Sequence, residues 1–272
     1  MENLDFIRYL RFEGALDWLW KPITDLGSEI AYILILSALF LRFPKIGRQL
    51  GIYFGLSVTI NTLLKLTFNA PRPYDLDLSL TSSAAYETGG SPGLPSGHAQ
   101  NAALTWGYLA ITQPFLWLRI FLPILILLIA FSRLSLGVHF LEDVLVGLII
   151  GVLLAWIASR VYVPEFSWQI NLGLVVLFGI ICFFLPETYS RGLAVMLGFV
   201  VSREFSVPKL LWQQGLFVLG GILLAFTLYF GSSLFLPDEI KRSGFGAYVR
   251  YFLIVLSVAV IYPLILRKRV LP

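Results

Sequence analysis

Long apolar runs broken by short polar joints dominate the chain. No charged side chain occurs in residues 49–64, 99–118, 120–132, 144–159, 166–186, 210–237 or 251–266. Several of these runs reach the roughly 20 apolar residues that carry an α-helix across a bilayer, and the shorter ones complete a span with the charged residues at their ends. The pattern predicts helices over about 23–43, 48–68, 98–117, 119–135, 139–161, 167–186, 189–203, 211–236 and 246–266, nine spans in all. The weakest is 189–203, whose uncharged centre, Gly192 to Ser202, is short for a crossing and also reads as a broken or re-entrant segment. Residues 1–20 mix Glu2, Asp5, Arg8, Arg11, Glu13 and Asp17 with Phe6, Tyr9, Leu10, Trp18 and Trp20. That mixture lacks the layout of a signal peptide and predicts an amphipathic helix at the membrane interface.

Composition sharpens the class. The 272 residues are 58% hydrophobic and 13% charged, with mean hydropathy +0.83, against about one quarter charged in a soluble domain. The expectation is an all-α polytopic membrane protein. Net charge is +4, but the basic residues fall in loops on opposite faces and form no continuous surface for nucleic acid. The single cysteine, Cys182, permits no internal disulfide and reads as helix packing.

Nine spans put the polar joints after helices two, four, six and eight on the same face as the amino terminus. Lys and Arg divide ten to ten between the faces; setting aside Lys65, Arg72 and Arg133 leaves seven against ten. The positive-inside tendency then places the more basic face, with Arg42, Lys45 and Arg48 in one short loop, in the cytoplasm. The expected location is the plasma (inner) membrane, with the other face toward the periplasm or exterior. That outer face has the longest polar joint, Tyr74 to Leu94, readable as a mobile mouth.

The same face gathers the candidate chemistry. His139 and Asp143, four apart at a helix start, share one side of that helix. A carboxylate there can hold one imidazole nitrogen and leave the other as a nucleophile; the plainer alternative is an interfacial His with an acid at a helix N-terminus. His98 follows Pro95-Ser96-Gly97 at another helix start, where backbone N–H groups favour an anion, although Ser96 is equally a helix cap. Lys65 near a helix end could snorkel, Arg72 between Pro71 and Pro73 could anchor at the surface, and Arg133 closes an apolar helix. Ionisable groups at such depths are functional candidates. Asp75, Asp77 and Glu87 are scattered and form no two-metal carboxylate set.

Taken together, Lys65-x6-Arg72-Pro73, Pro95-Ser96-Gly97-His98 and Ser132-Arg133-x5-His139-x3-Asp143 resemble the three-part signature of the type 2 phosphatidic acid phosphatase superfamily. These are integral membrane lipid phosphatases related to the vanadium haloperoxidases. The resemblance spans roughly residues 23–163 and shows no departure at a signature position. It implies a six-helix phosphatase core, placed at 23–163 after the interfacial segment 1–22; residues 164–272 fall outside the pattern and read as about three additional transmembrane helices. It implies His139 as the nucleophile that forms a phosphohistidine, Asp143 as its orienting carboxylate and His98 as the acid on the leaving oxygen. Lys65, Arg72, Ser96, Gly97 and Arg133 are then the phosphate-binding set, with no metal and no cofactor. The implied partners are membrane lipids and a lipid phosphate or diphosphate substrate: phosphatidic acid, phosphatidylglycerol phosphate, polyprenyl diphosphate or similar. Two rivals are a lipid phosphotransferase using the same phosphohistidine and, against the grain of an intact nucleophile and acid, a lipid or anion transporter. The sequence says nothing of oligomeric state.

Overall fold

The computed structural model describes residues 2–11, 14–82, 84 and 91–270, with side chains to 266. All regular structure among them is helical. In chain order the helices are α1 (Glu2–Arg11), α2 (Asp17–Asp25), α3 (Glu29–Arg42), α4 (Pro44–Phe68), the short α5 (Pro73–Leu76), α6 (Gly97–Thr112), α7 (Leu116–Ser135), α8 (Leu141–Arg160), α9 (Trp168–Phe184), α10 (Glu187–Val201), α11 (Leu211–Phe235), α12 (Asp238–Arg242), α13 (Gly244–Leu256) and α14 (Tyr262–Val270). A single π turn, Ser257–Ile261, joins the last two. Part of the expected mouth, residues 83 and 85–90 with Glu87, lies outside the described residues.

Every predicted span is helical, and the helices differ in length. Pro44–Leu76, Leu116–Ser135, Leu141–Arg160, Leu211–Phe235 and Gly244–Leu266 meet the length and apolarity of a bilayer span, and α2 with α3 makes a sixth if a 41° bend is allowed. The helices α6, α9 and α10 have 16, 17 and 15 residues, at or just under the short end of the range of about 17–25 for a bilayer span. The helix expected over 23–43 is broken between Asp25 and Glu29, and the break holds Gly27, which has no room for a side chain. A Cβ there would come within 2.9 Å of both His98 Cδ2 and Ile129 Cγ2.

Contacts group the chain into two compact units: Met1–Ala31 with Ile60–Val161, and Tyr32–Thr59 with Tyr162–Pro272. In the first, α6 packs along α8 and against α7. Gly147 and Gly151 make the approach possible. A Cβ on Gly147 would lie 2.6 Å from the Ser96 carbonyl, and one on Gly151 2.2 Å from that of Gln100. The opposite face of α8 exposes Leu145, Ile149, Val152, Leu153 and Trp156, an apolar stripe suited to lipid tails. Under α1, Ile7 is fully buried with Leu80, Leu134 and Phe140, so its apolar side is part of this core.

In the second unit α10 packs on α13, and Cys182 is buried with Ala194, Leu197, Tyr248 and Tyr251. Arg48 departs from expectation. It is not a loop cation but a residue of α4 with no exposed surface. Its guanidinium donates to the carbonyls of Ser202, Val163, Pro164 and Val200, so one side chain ties the end of α10 to the connection before α9.

Candidate active site

All eight candidate residues lie in the first unit, at one end of its helices. Lys65 is near the C-terminus of α4, Arg72 precedes α5, Ser96 to His98 open α6, Arg133 lies in the last turn of α7, His139 is in the connection to α8, and Asp143 is in the first turn of α8. Two helix starts are locally capped in the same way. Asp75 Oδ2 accepts from the Arg72 N–H at 2.8 Å and Asp143 Oδ2 from the Phe140 N–H at 2.9 Å, each an acid three residues in, reaching back to the cap backbone.

The His139 ring is held from both nitrogens. Nδ1 lies 3.2 Å from Asp143 Oδ2 and Nε2 lies 3.2 Å from Arg72 Nη1. A guanidinium only donates, so Nε2 is the acceptor and the proton is on Nδ1, donated to Asp143. The ring is therefore neutral, in the tautomer with its lone pair on the side of Arg72. His139 and Asp143 are each 2% exposed and Arg72 is 3% exposed.

Arg72 is itself fixed by backbone. Its Nε donates to Ser91 O at 2.6 Å, Nη1 to Val138 O at 2.8 Å, and Nη2 to Ser91 Oγ at 2.9 Å and Pro92 O at 3.3 Å. Lys65 Nζ donates to the same Pro92 carbonyl and to Gly93 O, so the two cations are tied through one short stretch. Arg133 Nη1 donates to Thr24 Oγ1 at 2.6 Å. Ser96 donates its backbone N–H to Asp143 O at 2.9 Å, which links the two histidine-bearing blocks. Its Oγ is fully buried with no partner among the described residues, a donor left available for a ligand. His98 stays partly exposed and lies in the combined field of Arg133, Arg72 and Lys65. The arrangement gathers three cations, a spare hydroxyl, a helix N-terminus and an oriented neutral imidazole at one end of the unit.

A family model for the PAP2 superfamily matches residues 47–167, a range that contains all eight candidates. Phosphatidylglycerophosphatase B of Bacillus subtilis (strain 168) is 32% identical over 151 residues, 50% of this chain and 70% of that protein. The chain belongs to the PAP2 superfamily. No solved structure matches it. As a PAP2 protein it is a phosphatase, a phosphoric ester hydrolase, carried on a multi-pass helical scaffold.

Several residues that build this PAP2 site escaped the sequence reading. Thr24 anchors Arg133, Ser91 anchors Arg72, and Asn61 donates to Pro95 O at 3.3 Å and to Gln100 Oε1 at 2.9 Å behind the Ser96 turn. Asn61 had a signal, an amide within an uncharged run, four residues before Lys65 on one helix face. Gly147-x3-Gly151 is a small-residue spacing that marks close helix contact in membranes. Thr24 and Ser91 had none, since single hydroxyls are common in helices and loops alike.

Proposed function

We propose that the protein hydrolyses a phosphate monoester or diphosphate of a membrane lipid through a phosphohistidine on His139, at the extracytoplasmic face. The observation that supports this most directly is the His139 ring, with Nδ1 on Asp143 and Nε2 facing Arg72. Nε2 attacks phosphorus and the bond to the leaving oxygen breaks. Two negative charges on the bound phosphate offset the cations, and His98 carries the proton it gives to that oxygen. Water then attacks phosphorus, His98 takes its proton, and His139 departs neutral. Asp143 stabilises the charge on the phosphorylated ring. General acid catalysis contributes only about 10²- to 10⁴-fold, so most of the acceleration falls to the nucleophile and to Lys65, Arg72, Arg133 and Ser96 around the phosphoryl oxygens.

A lipid substrate fits the apolar faces around the site, since a tail enters sideways while its phosphate meets the polar helix ends. The Bacillus subtilis relative's name points to phosphatidylglycerophosphate, which makes that phosphomonoester the first substrate to try. The test is phosphate release from purified phosphatidylglycerol phosphate, phosphatidic acid, a polyprenyl diphosphate and a soluble sugar phosphate. At least one lipid is expected to be turned over and His139→Ala to abolish it. Release by His139→Ala at a rate comparable to the parent removes the nucleophile assignment, and a preference for the sugar phosphate removes the lipid.

A further inference from the structure

His139 rides on the connection Leu136–Phe140, and three side chains grip its carbonyls. Arg72 holds Val138 O. Arg11 Nη1 donates to Leu136 O at 3.0 Å, and Ser82 Oγ donates to the same oxygen at 2.8 Å. Gly137, between these two grips, has φ +68°, a left-handed conformation that side chains resist. A Cβ there would also press on Leu80 O at 3.0 Å and Arg11 Cδ at 3.4 Å. The guanidinium of Arg11 thus fills the space on the far side of the strand of chain that ends in the His139 ring.

Arg11 is not an incidental neighbour. It is 8% exposed, its Nη2 donates to Thr81 O at 3.1 Å, and Asp17 Oδ2 lies 3.6 Å away. A carbonyl bond from a largely buried guanidinium is a charge-assisted contact, stronger than its neutral equivalent. The helix that delivers it is anchored twice more. Ile7 is in the core under α1, and Arg8 pairs with Asp77 at 2.6 Å. The carboxyl of Asp77 is held below the usual carboxylate range by the Ser79 hydroxyl and by Arg8, so that anchor persists throughout the neutral range.

We propose that Arg11 is a positioning residue for phosphoryl transfer: through the Leu136 carbonyl, the amino-terminal helix sets where His139 stands when it attacks. Arg11 touches no reacting atom. It confines a glycine-containing connection that would otherwise move the nucleophile, and errors near 1 Å in a nucleophile cost about 10²-fold in rate. The inference rests on His139 being the nucleophile.

The test uses the purified full chain as Arg11→Met, Arg11→Lys and Ser82→Ala, with kcat and KM for the lipid phosphate that the parent turns over. The chain has two histidines, so ¹⁵N-histidine NMR reports His139 and His98 alone, assigned with His98→Gln. Arg11→Met is expected to lower kcat by about 10- to 100-fold with KM within about twofold, and to shift the His139 ring nitrogens more than those of His98. Arg11→Lys, which keeps one donor for Leu136 O, is expected to recover part of the loss. A folded Arg11→Met with kcat within about twofold of the parent, or one whose loss leaves the His139 resonances in place, overturns the proposal. Should Arg11→Met not fold, Ser82→Ala decides, since it removes one bond to the same carbonyl. A lower kcat with moved His139 signals supports positioning, and no change in either overturns it. Turnover by His139→Ala would instead sink the nucleophile reading while leaving the Arg11 result interpretable as a structural effect.

Discussion

Asp143 Oδ2 accepts from two donors, the Phe140 backbone N–H and the Nδ1–H of His139, so one oxygen both caps α8 and fixes the imidazole tautomer. Asparagine keeps an oxygen for those bonds and removes the charge. Asp143→Asn is therefore expected to fold, to bind phosphate nearly as the parent does, and to lose at least about 10²-fold in kcat, because the phosphorylated ring loses its counter-charge. Phosphate-release kinetics with a thermal melt of the purified variant check it; full activity in a folded Asp143→Asn would leave the carboxylate with a capping role only. The cations, histidines and carboxylate of the signature were legible in the sequence because each carries a charge or an imidazole that is costly in an apolar setting. Their supports were not. Arg11 acts on Leu136 O and Arg72 on Val138 O, and a carbonyl acceptor is present at every position, so nothing in the sequence singles it out.

At the scale of helices, apolar runs placed every segment, while lengths were set by things the runs do not show. α6 stops at Thr112 before Pro114, and the α2–α3 break carries Gly27, whose missing side chain leaves room for His98 and Ile129. Arg48 was read as a loop cation because charge ends an apolar run; packed against four carbonyls, it is interior. Glycines separate by environment in a way that composition cannot reveal. Gly151 meets Gln100 O at 2.2 Å from an added Cβ, whereas Gly173 on α9 meets nothing within 4 Å. Gly151→Ala is expected to push α6 and α8 apart, costing about 1–3 kcal/mol and lowering activity, since α6 begins at the Ser96–His98 turn. Gly173→Ala is expected to be neutral or to stabilise by up to about 1 kcal/mol. Melting temperatures of both in one detergent check the contrast, and equal behaviour would mean that α6 and α8 do not meet at Gly151.

For the whole molecule the question is which side of the membrane the site faces. In the nine-span arrangement, burial takes Arg48 from the more basic face and Arg11 from the other, so its count moves from ten against seven to nine against six and the difference of three stands. The positive-inside tendency acts on short loops near span ends, and with nine crossings it favours the proposed extracytoplasmic site. Leu78, 82% exposed beside the site end of the first unit, and Pro114, exposed in the joint between α6 and α7 at its other end, report on the two faces. Cys182 is fully buried, and Cys182→Ser gives a cysteine-free background. In intact cells a membrane-impermeant maleimide is expected to label Leu78→Cys and not Pro114→Cys, with the latter reacting only after the membrane is opened. The reverse pattern puts His139 and its cations on the cytoplasmic side, where the phosphorylated lipids available to the enzyme are those of the inner leaflet, and the substrate panel would then be chosen from that leaflet.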